Sequence, residues 1–121
     1  MAIKSFLDLD VYKESFQLSL EVDDVVKTFP VREKFLLTDQ CLRASRSIPA
    51  QIAEGYSKRQ SIKEFRKFMN GALAEANEMI NHLSFAKAKG YILEEKANDL
   101  IKRYHIVGRK LSRLITNWKN Y

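Results

Sequence analysis

The stretch SIPAQIAEGYSKRQSIKEF, residues 47–65, is the most informative part of the sequence about the fold, because it holds the end of one helix, a short connection and the start of the next. Ser61 supplies the hydroxyl of a helix N-cap, and Glu64, three residues later, completes the pattern of a capping box. Residues 55–60 bring glycine, serine and long polar side chains without apolar periodicity, which is typical of a helix end and a turn. The stretch therefore predicts a helix, a turn and a second helix, with Pro49 kinking the first of them.

Apolar residues at spacings of three and four predict four helices in all. Their expected bounds are about 8–29, 38–56, 62–89 and 94–118. Pro30 is expected to end the first helix, Thr38 to start the second and Gly90 to close the third. Because the links are short, the chain is predicted to be all-α, an antiparallel up-down-up-down four-helix bundle. A chain of about 100 to 150 residues supports one hydrophobic core, so residues 1–121 are predicted to form a single domain.

The net charge of +6 is unevenly distributed along the chain. Residues 1–29 carry a net charge of −3, whereas residues 38–70 and residues 94–121 each carry +4. Such asymmetry attracts polyanions over a Debye length of about 8 Å at physiological salt. The charge pattern therefore permits nucleic acid as a partner without requiring it.

The chemistry-bearing residues do not form a recognisable catalytic pattern. The sequence has no glycine-rich phosphate loop, no zinc-ligand spacing and no nucleophile elbow. His82 and His105 belong to different predicted helices and have no neighbours at metal-ligand spacing, and Cys41 lies in a helical pattern where a buried, inert thiol is expected. We therefore expect no catalytic residue, no metal, no cofactor and no intramolecular disulfide. With no leader and no long apolar stretch, a cytoplasmic location is expected.

Two groups of basic residues are candidate nucleic-acid contacts. They are Lys58, Arg59, Lys63, Arg66 and Lys67 around the turn before the third helix, and Lys102, Arg103, Arg109, Lys110 and Arg113 on the fourth helix. Tyr104 and Tyr121 lie near the second group as possible base-stacking residues, although Tyr104 falls on the apolar face and is expected in the core. A solvated basic face without a partner has the same pattern, so both interpretations stay open.

Three charged residues are candidates for a structural ion-pair network. Arg43 and Glu54 are eleven residues apart and share a face of the second helix, while Glu78 interrupts the apolar stripe of the third. A polar site in the bundle is one interpretation. The favoured one is a set of ion pairs that fixes helix register or a contact between subunits.

Five short motifs of the sequence are shared with a known family: SIPxxIAEG at 47–55, FP at 29–30, LTDQCLRAS at 37–45, EF at 64–65 and AKAKGYI at 86–92. On these motifs the sequence resembles the bacterial 23S rRNA intervening-sequence protein family, also called the S23 ribosomal protein or four-helix-bundle protein family. The resemblance runs from about Leu9 to about Ile92. Departures from the usual family pattern occur at Leu42, Arg43, Arg46, Gln51, Ala74 and Glu75.

The resemblance implies a homo-oligomeric ring, with a pentamer as the usual form. The first helix fits this implication, because it is apolar over more than half of its circumference and surplus apolar surface favours subunit contacts. Three functions remain as hypotheses. The first is a non-enzymatic RNA- or DNA-binding oligomer. The second is a protein-interaction scaffold similar to the accessory variability proteins of diversity-generating retroelements, which partner a reverse transcriptase. The third is a bundle that binds a small molecule or a metal.

Overall fold

The computed structural model describes residues 2–118, which contain four α-helices and no strand. The helices are α1 (Asp10–Val25), α2 (Leu37–Ser57), α3 (Ile62–Ala88) and α4 (Glu94–Asn117). Short 3₁₀ turns occur at Phe6–Asp8, Val26–Thr28 and Val31–Glu33. The predicted number of helices is confirmed. None of the helices within residues 2–118 combines the length and apolarity needed to cross a membrane.

The start of α1 differs from the prediction. Ser5 Oγ accepts a hydrogen bond of 3.2 Å from the Leu7 N–H, and the Asp8 carboxylate accepts one of 3.1 Å from the Ser5 N–H. These bonds stabilise a separate 3₁₀ turn, after which the chain is extended at Leu9, so α1 begins at Asp10. A second 3₁₀ turn at Val26–Thr28 tightens the other end. The predicted single helix over 8–29 is therefore an α-helix with a 3₁₀ turn on each side.

The start of α2 also differs, because a side chain from the preceding turn replaces the predicted cap. Leu37 is the first residue of α2, and its N–H donates to Glu33 Oε1 at 3.3 Å. Glu33 belongs to the 3₁₀ turn Val31–Glu33. Thr38, the predicted starting residue, lies inside the helix, so that prediction is wrong by one residue.

The ends of α3 follow the sequence signals closely. Ser61 Oγ accepts a hydrogen bond of 3.2 Å from the Glu64 N–H. The Ser61 N–H donates to the Lys58 carbonyl oxygen at 3.0 Å, so only one of the two bonds of the predicted capping box forms. At the other end Gly90 has a φ of +74°, the left-handed conformation expected of a glycine that follows a helix. The predicted bounds of α3 are confirmed to within one residue.

The core lies between all four helices, and α3 contacts both α2 and α4 over most of its length. The largest fully buried side chains come from every helix: Leu18, Val22, Ile48, Ile52, Phe65, Met69, Met79, Leu83, Leu100, Tyr104, Val107 and Leu111. The helices α2 and α3 approach closely at Gly55, where an added β-carbon would lie 2.9 Å from Phe68 Cβ. This close approach fixes the position of the first turns of α3, which carry basic side chains.

Candidate nucleic-acid interface

The first basic group surrounds the turn between α2 and α3. Lys58 is the C-cap residue of α2, and Lys63, Arg66 and Lys67 lie in the first two turns of α3. All four are exposed to solvent. Arg59 is different, because its Nη1 donates to the Tyr56 carbonyl oxygen at 3.0 Å and its guanidinium lies 4.2 Å from the centre of the Tyr56 ring. The Arg59 side chain therefore lies over the Tyr56 ring at the turn.

A hydrogen bond joins this group to the fourth helix. Arg66 Nε donates to the main-chain carbonyl oxygen of Ile115 at 2.9 Å. Ile115 lies two residues beyond Arg113, in the last turns of α4. This bond places the start of α3, which carries the first basic group, against the end of α4, where the second basic group ends at Arg113.

The second basic group divides between two sides of α4. Arg103 Nη1 donates to Glu21 Oε1 of α1 at 2.8 Å and to Asp99 Oδ2 at 3.0 Å, and its Nη2 also donates to the Glu21 carboxylate. Lys110 Nζ donates to both carboxylate oxygens of Glu14, at 2.9 and 2.8 Å. These two cations hold α1 against α4, and the structure does not bring them together with the first basic group.

The Glu21 carboxylate accepts from a second cation as well, Lys96 Nζ at 3.0 Å. Hydrogen bonds from Arg103 first, and then from Lys96, lower the pKa of Glu21 from its usual value near 4.5 to about 2. Glu21 is therefore ionised at neutral pH, and it binds two cations of α4.

The remaining basic residues of α4 form no ion pair with α1 among the described residues. Lys102, Arg109 and Arg113 are exposed, and their spacings of seven and four place them on one side of the helix. Arg109 and Arg113 also line a shallow surface groove between α3 and α4 of about 320 Å³. We call the surface of the exposed cations on α3 and α4 the basic face. Its residues are Lys63, Arg66, Lys67, Lys102, Arg109 and Arg113.

The carboxylates in the middle of α3 lie on the side of that helix that faces α2. An added β-carbon on Gly71 would meet Gln51 Oε1 of α2 at 1.9 Å, so Gly71 faces α2. Glu75 and Glu78 follow Gly71 by four and seven residues and therefore share its side of the helix. Arg66, which bonds to α4, lies on the other side, whereas Lys67 precedes Gly71 by four residues and lies on the same side as the two carboxylates.

One aromatic side chain lies among the lysines of the first basic group, on the side of α3 that faces α2. Phe68 is partly exposed, with Lys58 Nζ at 4.9 Å and Lys67 Nζ at 5.7 Å from the centre of its ring. By its spacing Phe68 belongs to the apolar stripe of α3, and sequence reasoning missed it as a surface residue; its lysine neighbours at positions 58 and 67 are the signal that could have identified it. Tyr104 is fully buried, as expected, and so offers no stacking surface. Tyr121 lies outside the described residues.

The three ion-pair candidates do not contact one another within the described chain. Arg43 Nε pairs with Asp39 Oδ2 of the same helix at 2.8 Å, while Glu54 and Glu78 are exposed. Burial first, and then a hydrogen bond with Glu78, raise the pKa of Glu75 to about 6. An ion-pair network among Arg43, Glu54 and Glu78 across a subunit contact stays a prediction.

The cysteine and the histidines occupy separate places. Cys41 is fully buried, and burial raises the pKa of its thiol to about 12. Burial lowers the pKa of His82, which lies on α3, whereas His105 is exposed at the edge of the groove on α4. Within residues 2–118, no three His, Cys, Asp or Glu side chains are grouped closely enough to hold a metal ion.

Comparison with known proteins places the chain in a family. Residues 7–113 match the family described as 23S rRNA-intervening sequence protein. A similar solved structure is the crystal structure of a protein of unknown function from the S23 ribosomal protein family of Bacteroides thetaiotaomicron VPI-5482. It is 27% identical, covers 88% of this chain and 96% of its own, and has a TM-score of 0.79. No curated protein matches the chain. Since the family match spans most of the sequence, the chain belongs to the 23S rRNA-intervening sequence protein family.

Proposed function

We propose that this protein is a non-enzymatic helical bundle that binds nucleic acid through the basic face. The observation that carries the proposal is the hydrogen bond between Arg66 and Ile115, which places the start of α3, with its exposed cations, against the end of α4. Lysine and arginine side chains bind phosphates and release condensed counterions. The family name directs the choice of ligand toward 23S ribosomal RNA, and an RNA ligand of that kind implies a cytoplasmic protein.

The proposal includes an antiparallel up-down-up-down order of the helices. Glu14 pairs with Lys110 and Glu21 pairs with Arg103, so residue numbers rise along α1 where they fall along α4. The connections between α2 and α3 and between α3 and α4 span only a few residues. Both observations support this order, because short links join neighbouring antiparallel helices.

We also propose that the bundle assembles into a homo-oligomeric ring, with the pentamer favoured by the family resemblance. Support comes from α1, on which the large apolar side chains of Phe16 and Leu20 are 46% and 47% exposed. Tyr12 stacks on Phe16 with ring centres 5.9 Å apart, which extends this apolar surface. A ring would repeat the basic face in each subunit, so that modest phosphate contacts would add up through avidity.

A second candidate function is a scaffold for a protein partner such as a reverse transcriptase. The observation in its favour is the apolar surface at the loop between α1 and α2 and the loop between α3 and α4. Val31, Phe35 and Leu93 are 87%, 82% and 80% exposed there. Large exposed apolar side chains are typical of protein-protein contacts. Nucleic-acid binding that depends on the basic face would support the first candidate function, and its absence would favour the scaffold.

The test is a fluorescence-anisotropy titration of a structured 23S rRNA fragment and a matched DNA duplex at several salt concentrations. The variant Lys63→Glu/Arg109→Glu reverses one charge on each helix of the basic face. We expect it to weaken binding by at least about tenfold and to flatten the dependence of log affinity on log salt. The matched control, Lys27→Glu/Lys89→Glu, makes the same change of net charge at other exposed positions.

The control decides whether the face or the net charge binds. Equal weakening by both double variants would contradict the basic face as the binding surface. An absence of binding by the unsubstituted protein at low salt would contradict nucleic-acid binding and favour the scaffold. A preference for the RNA fragment over the duplex supports an RNA ligand.

A further inference from the structure

Phe68 occupies a position that phosphate binding alone does not explain. It follows Lys67 of the basic face directly and lies at the turn between α2 and α3, where Lys58 approaches it from the end of α2. Both ammonium groups lie within 6 Å of its ring centre, at 4.9 and 5.7 Å. A partly exposed phenyl ring is thus placed between two cations that come from different helices.

The ring is held firmly by the packing beneath it. An added β-carbon on Gly55 would lie 2.9 Å from Phe68 Cβ and 3.0 Å from Met69 Cε, so the backbone of α2 contacts the base of the Phe68 side chain directly. Met69, the next residue, is fully buried. Close packing on the α2 side leaves the outer part of the ring as its free surface. A rigid aromatic surface loses little conformational entropy when a ligand stacks on it.

The other aromatic ring at this turn is already covered. Tyr56 is buried to 8% exposure, with the Arg59 guanidinium over its ring. The Trp118 ring packs against Tyr56 edge-on, with ring centres 6.3 Å apart. Phe68 is therefore the aromatic residue near this turn that is partly exposed beside exposed cations.

We infer that the first basic group binds single-stranded nucleic acid, with an unpaired base stacked on Phe68 and the adjoining phosphates bound by Lys58 and Lys67. This inference rests on the proposed nucleic-acid binding and specifies its ligand. Bases within a duplex are stacked on one another and cannot reach a side chain at a helical turn, whereas an unpaired base presents its π-face freely. Lysines beside an aromatic ring combine stacking with phosphate neutralisation, as single-strand binding requires.

The test compares a fluorescein-labelled oligouridylate of about 15 nucleotides with a blunt RNA duplex of equal length. Phe68→Leu keeps an apolar side chain against Gly55 and removes the ring. We expect roughly tenfold weaker binding of the single strand and unchanged binding of the duplex. Phe68→Trp, which restores an aromatic surface, is expected to restore the affinity. The same titration with oligodeoxythymidylate tells RNA from DNA, and a loss that depends on Phe68 with either strand supports the inference.

The matched control is Phe85→Leu. Phe85 lies on the same helix, is 48% exposed and has Lys89 Nζ at 5.8 Å from its ring centre, but it is at the far end of α3. We expect this control to leave the affinity for the single strand unchanged. An equal loss in both variants would show that any exposed phenylalanine on α3 contributes, which would overturn the assignment to Phe68.

The remaining outcomes separate this inference from the proposed function. Unchanged single-strand affinity in Phe68→Leu, together with a loss in Lys63→Glu/Arg109→Glu, would overturn the stacking and leave phosphate binding in place. No effect of either variant would overturn both. If Phe68→Leu does not fold, photo-crosslinking of 5-iodouridine-substituted oligouridylate to the unsubstituted protein tests the contact. A crosslink to Phe68 supports it, and crosslinks confined to other residues overturn it.

Discussion

Arg66 Nε and the carbonyl oxygen of Ile115 are joined by a hydrogen bond of 2.9 Å across 49 residues of sequence. The bond links a side chain in the second turn of α3 to the main chain of the last turns of α4. Its acceptor is a carbonyl near a helix C-terminus, where a positive charge also interacts favourably with the helix dipole. Arg66 therefore fixes the geometry of the basic face in addition to contributing its charge.

Removal of this bond is expected to cost stability. We predict that Arg66→Ala lowers the free energy of unfolding by about 1 kcal/mol, the usual net value of a hydrogen bond from a charged donor at an exposed site. Urea unfolding followed by circular dichroism measures the change. Lys67→Ala, at the neighbouring exposed position, is the control and is expected to change the stability by less than about 0.5 kcal/mol. Equal losses in the two variants would contradict the role assigned to the bond.

Glu21 is predicted to make the free energy of unfolding depend on pH in the acidic range. Because its folded-state pKa is lowered to about 2 by Arg103 and Lys96, its contribution is complete above pH 4.5 and is lost as the pH falls from 4.5 toward 2. Allowing for solvent screening of a surface pair, the loss is about 1 to 2 kcal/mol. Glu21→Gln should remove this part of the pH dependence in urea titrations between pH 2 and 5. Asp24→Asn, which affects only an exposed pair with Lys27, should preserve it.

Glu75 is predicted to lower the free energy of unfolding as the pH rises, which is the opposite of the effect of Glu21. Burial and the neighbouring Glu78 raise its folded-state pKa from 4.5 to about 6, so the folded protein loses stability as the pH rises through this interval. Glu75→Gln should therefore stabilise the protein at pH 7, by up to about 1 kcal/mol after allowance for its partial exposure. Thermal unfolding at pH 4 and pH 7 measures the difference. Glu95→Gln, an exposed position on α4, is the control, and a stabilisation confined to pH 4 would contradict the prediction.

Two glycines inside helices are predicted to respond oppositely to the same substitution. At Gly55 an added β-carbon would lie 2.9 Å from Phe68 Cβ, so Gly55→Ala should overpack the contact between α2 and α3 and cost about 1 to 3 kcal/mol. At Gly108 the nearest atom is Leu73 Cδ1 at 3.4 Å, where the methyl group can be accommodated. Gly108→Ala should stabilise α4 by about 0.5 to 1 kcal/mol through helix propensity. Denaturant unfolding of both variants checks the pair, and stabilisation by Gly55→Ala would contradict the close crossing.

The parts of the fold that depend on nearby residues could be predicted from the amino-acid sequence. The hydroxyl of Ser61 and the left-handed conformation of Gly90 set the ends of α3, because a cap acts within one turn of its helix. The 3.6-residue period likewise identified the buried side of each helix, including Tyr104. The start of α2 was missed because its cap comes from Glu33, whose side chain reaches Leu37 from a separate turn.

The contacts of each basic residue, in contrast, depend on how the helices pack against one another. Lys102 and Arg103 are adjacent in the sequence, yet one is exposed on the basic face and the other is bonded to Glu21. Successive residues differ by about 100° around a helix, so neighbouring cations face different elements. The packing of α1 against α4 determines whether a cation of α4 contacts a carboxylate or solvent. Arg103 and its partner Glu21, for example, are 82 residues apart in the sequence. Sequence periodicity predicts the direction in which each side chain leaves its own helix. Which residue it meets in that direction depends on how the four helices pack together.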